Sequence, residues 1–115
     1  MIAWDGPPPA VQVAKASAVG VGEREFDLAA YRVSVPAGTV TFSVTNLGED
    51  PHDLAVRGAL PRHTPRAATS VIAPGGHGTL RLKLAPGRYE LLCTLGDHAA
   101  RGMRTTILVR RAPAR

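Results

Sequence analysis

The sequence is poor in cysteine, in aromatic residues and in long apolar runs. It has one cysteine among 115 residues, and aromatic residues make up 4% of the chain. A single cysteine excludes an internal disulfide, so the fold must be stabilised by its core. No run of apolar residues is longer than four, which leaves no membrane-spanning helix and no signal-peptide core within the given sequence.

The charge is positive, with 14 basic and nine acidic residues and a net charge of +5. This balance makes nucleic acid a partner to consider. However, no stretch alternates basic with stacking residues, so the sequence offers neither a platform for single strands nor a groove-reading helix. We therefore expect no nucleic-acid partner, and a solvated surface that faces an acidic protein is the better interpretation.

Glycine and proline are abundant, with 12 and ten residues, and they are spread along the whole chain. This distribution indicates many tight turns between short strands. Length and composition predict one globular domain. We expect a linker at 1–9 that ends in three prolines, a domain at 10–110 and a basic tail at 111–115.

Strands are indicated by apolar residues that alternate with polar ones, most clearly in residues 39–45. Residues 31–35 and 80–84 show the same period, and residues 58–66 are typical of a surface loop. Turn signals adjoin these segments at Pro36-Ala37-Gly38, Pro74-Gly75-Gly76 and Pro86-Gly87. Further strands are predicted at 11–16, 26–28, 52–57, 67–73, 89–93 and 104–109. The pattern favours an all-β fold, a Greek-key sandwich or barrel of about seven or eight strands.

The candidate functional residues lie in one segment near the C-terminus. Cys93, His98 and Met103 are each separated by four residues, and glycines at 96 and 102 allow the intervening loop to curl. His52 follows another turn and would have to be brought in by sheet pairing. Cysteine and two histidines with a weak axial methionine form the ligand set of a blue-copper site, whereas zinc rarely binds a thioether.

The chain here resembles the cupredoxins, the plastocyanin and azurin family of small type 1 copper proteins, from about Tyr31 to Val109. Three segments carry the resemblance, in addition to the order His, Cys, His, Met: Val35-Pro36-Ala37-Gly38-Thr39-Val40, Asn46-Leu47-Gly48 with His52-Asp53-Leu54, and Pro86-Gly87-Arg88-Tyr89-Glu90 before Cys93. The resemblance implies a Greek-key β-barrel that binds one copper ion. His52, Cys93 and His98 would be the equatorial ligands and Met103 the axial one.

The resemblance also implies a function without substrate chemistry, in which the protein carries one electron between larger redox proteins. It implies an exported protein, periplasmic or held outside the membrane by a leader or anchor that this sequence does not contain, and we expect a monomer. The redox partner would dock near His98 through an acidic surface, steered by arginines such as Arg101 in the ligand loop.

Two residues depart from the family pattern. Asp53 follows the first histidine, where many cupredoxins have asparagine. Its carboxylate can only accept hydrogen bonds, and we expect it to accept one from the backbone or hydroxyl of Thr94. Asp97 precedes His98, where glycine is common in the family, and it adds a negative charge beside that ligand.

Three other functions remain as alternatives. A copper carrier or storage protein would use the same ligands on the same fold. An immunoglobulin-like binding module would need no metal, and a hydrolase would use Cys93 as nucleophile with His52 or His98 as base. His63 and His77 lie in predicted loops and are interpreted as solvated residues.

Overall fold

The computed structural model describes residues 16–58 and 67–112, and more than half of these residues lie in nine strands. The strands are β1 (Ala16–Arg24), β2 (Asp27–Ala30), β3 (Ser34–Pro36), β4 (Gly38–Asn46), β5 (Ala55–Gly58), β6 (Ala67–Ala68), β7 (His77–Leu84), β8 (Gly87–Leu92) and β9 (Arg104–Arg110). Within these ranges no helix is long and apolar enough to cross a membrane. The predicted all-β class is confirmed, with nine strands within the described residues where about seven or eight were predicted.

The strands form two mixed sheets that pack as a sandwich. One sheet has the order β2-β1-β4-β7, and the other has the order β3-β9-β8-β5-β6. Pairing is parallel between β1 and β4 and between β3 and β9, and it is antiparallel between the other neighbours. Neighbours that are distant in sequence, such as β4 and β7, give the crossovers of a β-sandwich.

The core lies between the sheets and follows the predicted alternation. Val40, Phe42 and Val44 of β4 are buried, whereas the residues between them are partly or fully exposed. Each such side chain contributes about 1.5–3 kcal/mol when it is removed from water. The core continues into the region of Cys93 and Met103, so the candidate ligands lie at the edge of a packed interior.

Strand β1 was not predicted from the sequence. The prediction placed a strand at 11–16, of which 11–15 lie outside the described residues, and it left 17–25 unassigned. Gly20 and Gly22 have no side chain, so the sequence of β1 does not show the alternation of apolar and polar side chains that indicates a strand. The structure shows why these glycines are there: the Tyr31 side chain lies over β1, and a Cβ on Gly20 would come 2.9 Å from Tyr31 Cδ2.

The segment around His52 is less regular than predicted. The strand expected at 52–57 begins at Ala55, and the one expected at 67–73 is the two-residue β6. His52 and Ile72 instead form an isolated bridge, and the Leu54 N–H donates to the Thr69 side chain. The linker at 1–9, residues 59–66 of the loop and residues 113–115 of the tail lie outside the described residues.

Candidate metal centre

Sheet pairing brings the candidate ligands to one end of the sandwich. Cys93 directly follows β8 and Met103 directly precedes β9, and these two strands are antiparallel neighbours. Strand β5 pairs with the other edge of β8, with Ala55 opposite Leu92. His52, three residues before Ala55, therefore lies beside Cys93 although 41 positions separate the two residues.

The donor atoms of three residues converge. His52 Nδ1 lies 3.8 Å and His98 Nδ1 lies 3.5 Å from Cys93 Sγ, and the two Nδ1 atoms are 3.2 Å apart. His52 and Cys93 are fully buried, whereas His98 is half-buried. Two imidazole nitrogens and one sulfur thus face a common point, as the ligands of one metal ion must.

Backbone hydrogen bonds hold the ligand loop. The Cys93 N–H donates to the Met103 carbonyl and the Met103 N–H donates to the His98 carbonyl, each at 3.0 Å. The loop reverses at Gly96, with φ of 49°, and at Gly102, with φ of 129°, where a side chain would be strained. Met103 itself is fully buried in the core cluster that contains Cys93. The loop therefore holds the residues predicted as the second, third and fourth ligands close together.

No protein-family model matches the chain, and no curated protein matches it. Chains of solved structures, however, do match it. Auracyanin A, a "blue" copper protein from Chloroflexus aurantiacus, superposes with a TM-score of 0.68 at 17% identity, over 84% of this chain and 100% of that one. Rusticyanin from Thiobacillus ferrooxidans also gives 0.68, at 19% identity over 84% and 78% of the two chains. A chain of a heme-copper terminal oxidase dimer gives 0.57, at 19% identity over 86% and 67%.

The chain has the cupredoxin fold. One thiol, two imidazoles and one thioether at this end of that fold fit a single type 1 copper ion, because sulfur donors suit Cu(I) and imidazole suits both oxidation states. Zinc fits this set less well because the thioether is a poor ligand for it.

Asp53 ties together the two segments that carry the candidate ligands His52 and Cys93, as expected from the sequence. Its carboxylate accepts the Thr94 N–H at 2.7 Å and also accepts the Thr94 hydroxyl. Asp53, directly after His52, is thus hydrogen-bonded to Thr94, directly after Cys93. A carboxylate is as able as an amide oxygen to receive these two donors.

The Cys93 thiol has a pKa above that of a free thiol. Burial raises its pKa, and the negative charges of Asp53 and Glu23 add to this effect, while N–H donors from Asp53 and Leu95 oppose it. A metal ion that binds Cys93 must therefore displace a proton, and its affinity falls as the pH falls.

Glu25 was not predicted as part of the site. It lies in the turn between β1 and β2, and its Oε1 is 2.7 Å from His52 Nε2. Hydrogen bonds lower the pKa of Glu25 to about 2. The N–H groups of Glu49 and Asp50 have the largest effect, and the His52 ring has a smaller one. No sequence motif links a glutamate 27 positions before the histidine to the site, because only the fold of the β1–β2 hairpin brings it there.

The next residue in that hairpin contacts the other histidine. The Phe26 ring meets the His98 ring edge-on, with centroids 5.4 Å apart, and the Arg101 guanidinium lies 4.8 Å from the Phe26 centroid. Arg101 Nε also donates to Asp97 Oδ2 at 2.7 Å, and this hydrogen bond is the main cause that lowers the pKa of Asp97. The negative charge that Asp97 brings to the ligand loop is thus paired within the loop.

Glu23 is an unexpected buried acid near the site. It is fully buried, and neither carboxylate oxygen has a hydrogen-bond partner among the described residues. Burial, with the charge of Asp53 as a second cause, raises the pKa of Glu23 to about 8.

His77, one of the two remaining histidines, lies outside the donor cluster. His77 is exposed, and its Nδ1 is 3.3 Å from Thr45 Oγ1, in agreement with a solvated residue, but it lies at the start of β7 and not in the predicted loop. His63 lies outside the described residues.

Proposed function

We propose that the protein is a one-electron carrier whose single type 1 copper is bound by His52, Cys93 and His98, with Met103 as the weak axial ligand. The observation that carries the proposal is the convergence of His52 Nδ1, His98 Nδ1 and Cys93 Sγ within 4.8 Å of one another. Auracyanin A, a "blue" copper protein of the same fold, supports the same assignment by analogy.

The burial of the site favours electron transfer over catalysis. Cys93 is fully buried, so a substrate carbonyl would have no approach to its sulfur, which disfavours the hydrolase alternative. An electron needs no such approach, because the half-buried His98 links the metal position to the surface. The hydrogen-bonded loop also favours little rearrangement between Cu(II) and Cu(I).

A copper carrier would use the same ligands, so the test must separate transfer of electrons from transfer of copper. The copper-loaded protein is cycled by voltammetry in the presence of a Cu(I) chelator. We expect a reversible one-electron wave and retention of the metal over many cycles. Loss of Cu(I) to the chelator on each reduction would favour the carrier alternative.

Met103 is proposed as the axial ligand for two reasons. It is buried in the same core cluster as Cys93, and its backbone is hydrogen-bonded to the backbones of both Cys93 and His98. Met103→Leu should retain copper on the other three ligands and raise the reduction potential, since a lost donor penalises Cu(II) more than Cu(I). A rise near 59 mV would correspond to about a tenfold change in relative affinity. An unchanged potential and spectrum would remove Met103 from the site.

The proposed partner is a redox protein with an acidic surface that docks near His98. For the copper protein itself we propose a monomer that works outside the cytoplasm. The excess of basic residues supports steering by long-range attraction. Arg101 is exposed in the ligand loop, although its pairing with Asp97 weakens its field.

Arg101→Glu should slow electron transfer with such a partner, by about threefold to tenfold at low salt, and should flatten its dependence on salt. The copper spectrum should not move, because Arg101 does not touch the donor atoms. Stopped-flow rates at several ionic strengths measure this effect, and Arg88→Glu, an exposed residue of β8, serves as a matched control. An electron-transfer rate that changes neither with salt nor in the Arg101→Glu variant would contradict the docking proposal. It would not contradict the copper site.

A further inference from the structure

The two nitrogens of the His52 ring face different groups. Nδ1 faces Cys93 Sγ and His98 Nδ1, whereas Nε2 lies 2.7 Å from Glu25 Oε1. The ring is fully buried, so Glu25 takes the place that water would occupy in an exposed histidine. A charged group from the β1–β2 turn thus contacts one proposed ligand on the side away from the metal position.

The backbone holds the Glu25 carboxylate in place. The Glu49 N–H donates to both carboxylate oxygens, at 3.0 and 2.9 Å, and the Asp50 N–H donates to Oε1 at 3.1 Å. The turn that provides these donors is fixed by buried Asn46, whose amide donates to the Asp50 and Ile72 carbonyls. Gly48 leaves room for the carboxylate, because a Cβ there would lie 2.8 Å from Glu25 Cδ.

Hydrogen bonding to a carboxylate has two effects on a metal-binding histidine. It places the ring proton on Nε2, which leaves the Nδ1 lone pair free for the metal. It also raises the donor strength of the ring, and such contacts typically change metal affinity about 10–100-fold. Stronger donation and a nearby negative charge both stabilise Cu(II) more than Cu(I).

We propose that Glu25 is a positioning residue that holds His52 in its Nδ1-binding tautomer and lowers the reduction potential of the copper site. This inference rests on the proposed function, since it assumes that His52 binds copper.

The charge is tested by Glu25→Gln in the copper-loaded protein. Glutamine retains the shape and one acceptor oxygen but removes the charge. We expect Cu(II) affinity to fall about tenfold relative to Cu(I), which is a rise of about 59 mV in the potential. Asp27→Asn removes an equal charge from an exposed position in the same hairpin and is the matched control. Equal potentials for the two variants would overturn the proposal.

The contact is tested by Gly48→Ala, which leaves Glu25 in the sequence but places a methyl group where its carboxylate lies. The side chain is flexible enough to move aside, so the fold should survive. We expect the potential to rise as in Glu25→Gln, and a potential equal to that of the wild type would contradict the role of the contact.

The tautomer is tested in the metal-free chain by the ¹⁵N shifts of the His52 ring, a readout that needs no copper. We expect protonated Nε2 and bare Nδ1 in the wild type and in Glu25→Gln, and a mixture of tautomers in Glu25→Ala. A wild-type ring that is protonated on Nδ1 alone would overturn the inference. If instead the wild type shows the expected tautomer but binds no Cu(II), the proposed function fails and the Glu25 contact stands.

Discussion

Copper-loaded Cys93→Ser protein should lack the intense visible absorption that we expect of the copper-loaded wild type. The band arises from charge transfer between a thiolate and Cu(II), and Cys93 is the one cysteine of the sequence, so no other residue can provide it. Cu(II) affinity should also fall by several orders of magnitude, because the soft thiolate is lost. Absorption spectra and a competition titration measure the two effects.

The fold should survive this substitution. The imidazole nitrogens lie 3.5 and 3.8 Å from the sulfur, which is too far for a serine hydroxyl to hydrogen-bond without a shift of the rings, so we expect a destabilisation of roughly 1–3 kcal/mol, the cost of an unsatisfied buried hydroxyl. Circular dichroism of both proteins gives the control. Colour that persists in the folded Cys93→Ser variant would contradict the blue-copper assignment.

The metal-free protein should lose stability as the pH rises from about 4.5 to about 8, because of Glu23. Its folded-state pKa is raised to about 8, so in this window the unfolded chain releases a proton that the folded chain retains. The free energy of unfolding then falls by about 1.4 kcal/mol per pH unit, and the total loss is a few kcal/mol. Below about pH 4.5 both states are protonated and the penalty vanishes.

Glu23→Gln should remove this dependence while it preserves the size of the side chain. We expect the variant to match the wild type near pH 4.5 and to be more stable than it at pH 8 to 9. Urea unfolding at a series of pH values measures the difference, with Glu49→Gln, at an exposed position, as control. Parallel pH profiles for Glu23→Gln and the wild type would show that Glu23 is not buried as a neutral acid.

The cluster of candidate ligands could be predicted from the sequence because most of its signal is local. Cys93, His98 and Met103 share one loop at fixed spacing, and the strands on either side of it alternate in the ordinary way. His52 was proposed as the histidine that completes the set, and sheet pairing between β5 and β8 brings this residue to Cys93. The Asp53 contact with Thr94 was also predictable, since it joins two residues that directly follow candidate ligands.

Residues that act on the site from β1 and its hairpin could not be predicted. Gly20 and Gly22 hide the alternation of β1, so the strand that carries Glu23 was unassigned. Glu25 and Phe26 contact His52 and His98 only because that strand and β2 turn back over the ligand loop. Their contacts depend on tertiary structure, and nothing in the order of residues near 25 indicates a partner near 52 or 98.

The central claim is that His52, Cys93 and His98 bind one type 1 copper ion, and a titration of the metal-free wild type with Cu(II) tests it most directly. Visible absorption is followed as copper is added at neutral pH. We expect an intense thiolate-to-copper band that grows in proportion to added metal and stops at one copper per chain. A protein that remains colourless after one equivalent, or a band that continues to grow well beyond it, would contradict the account.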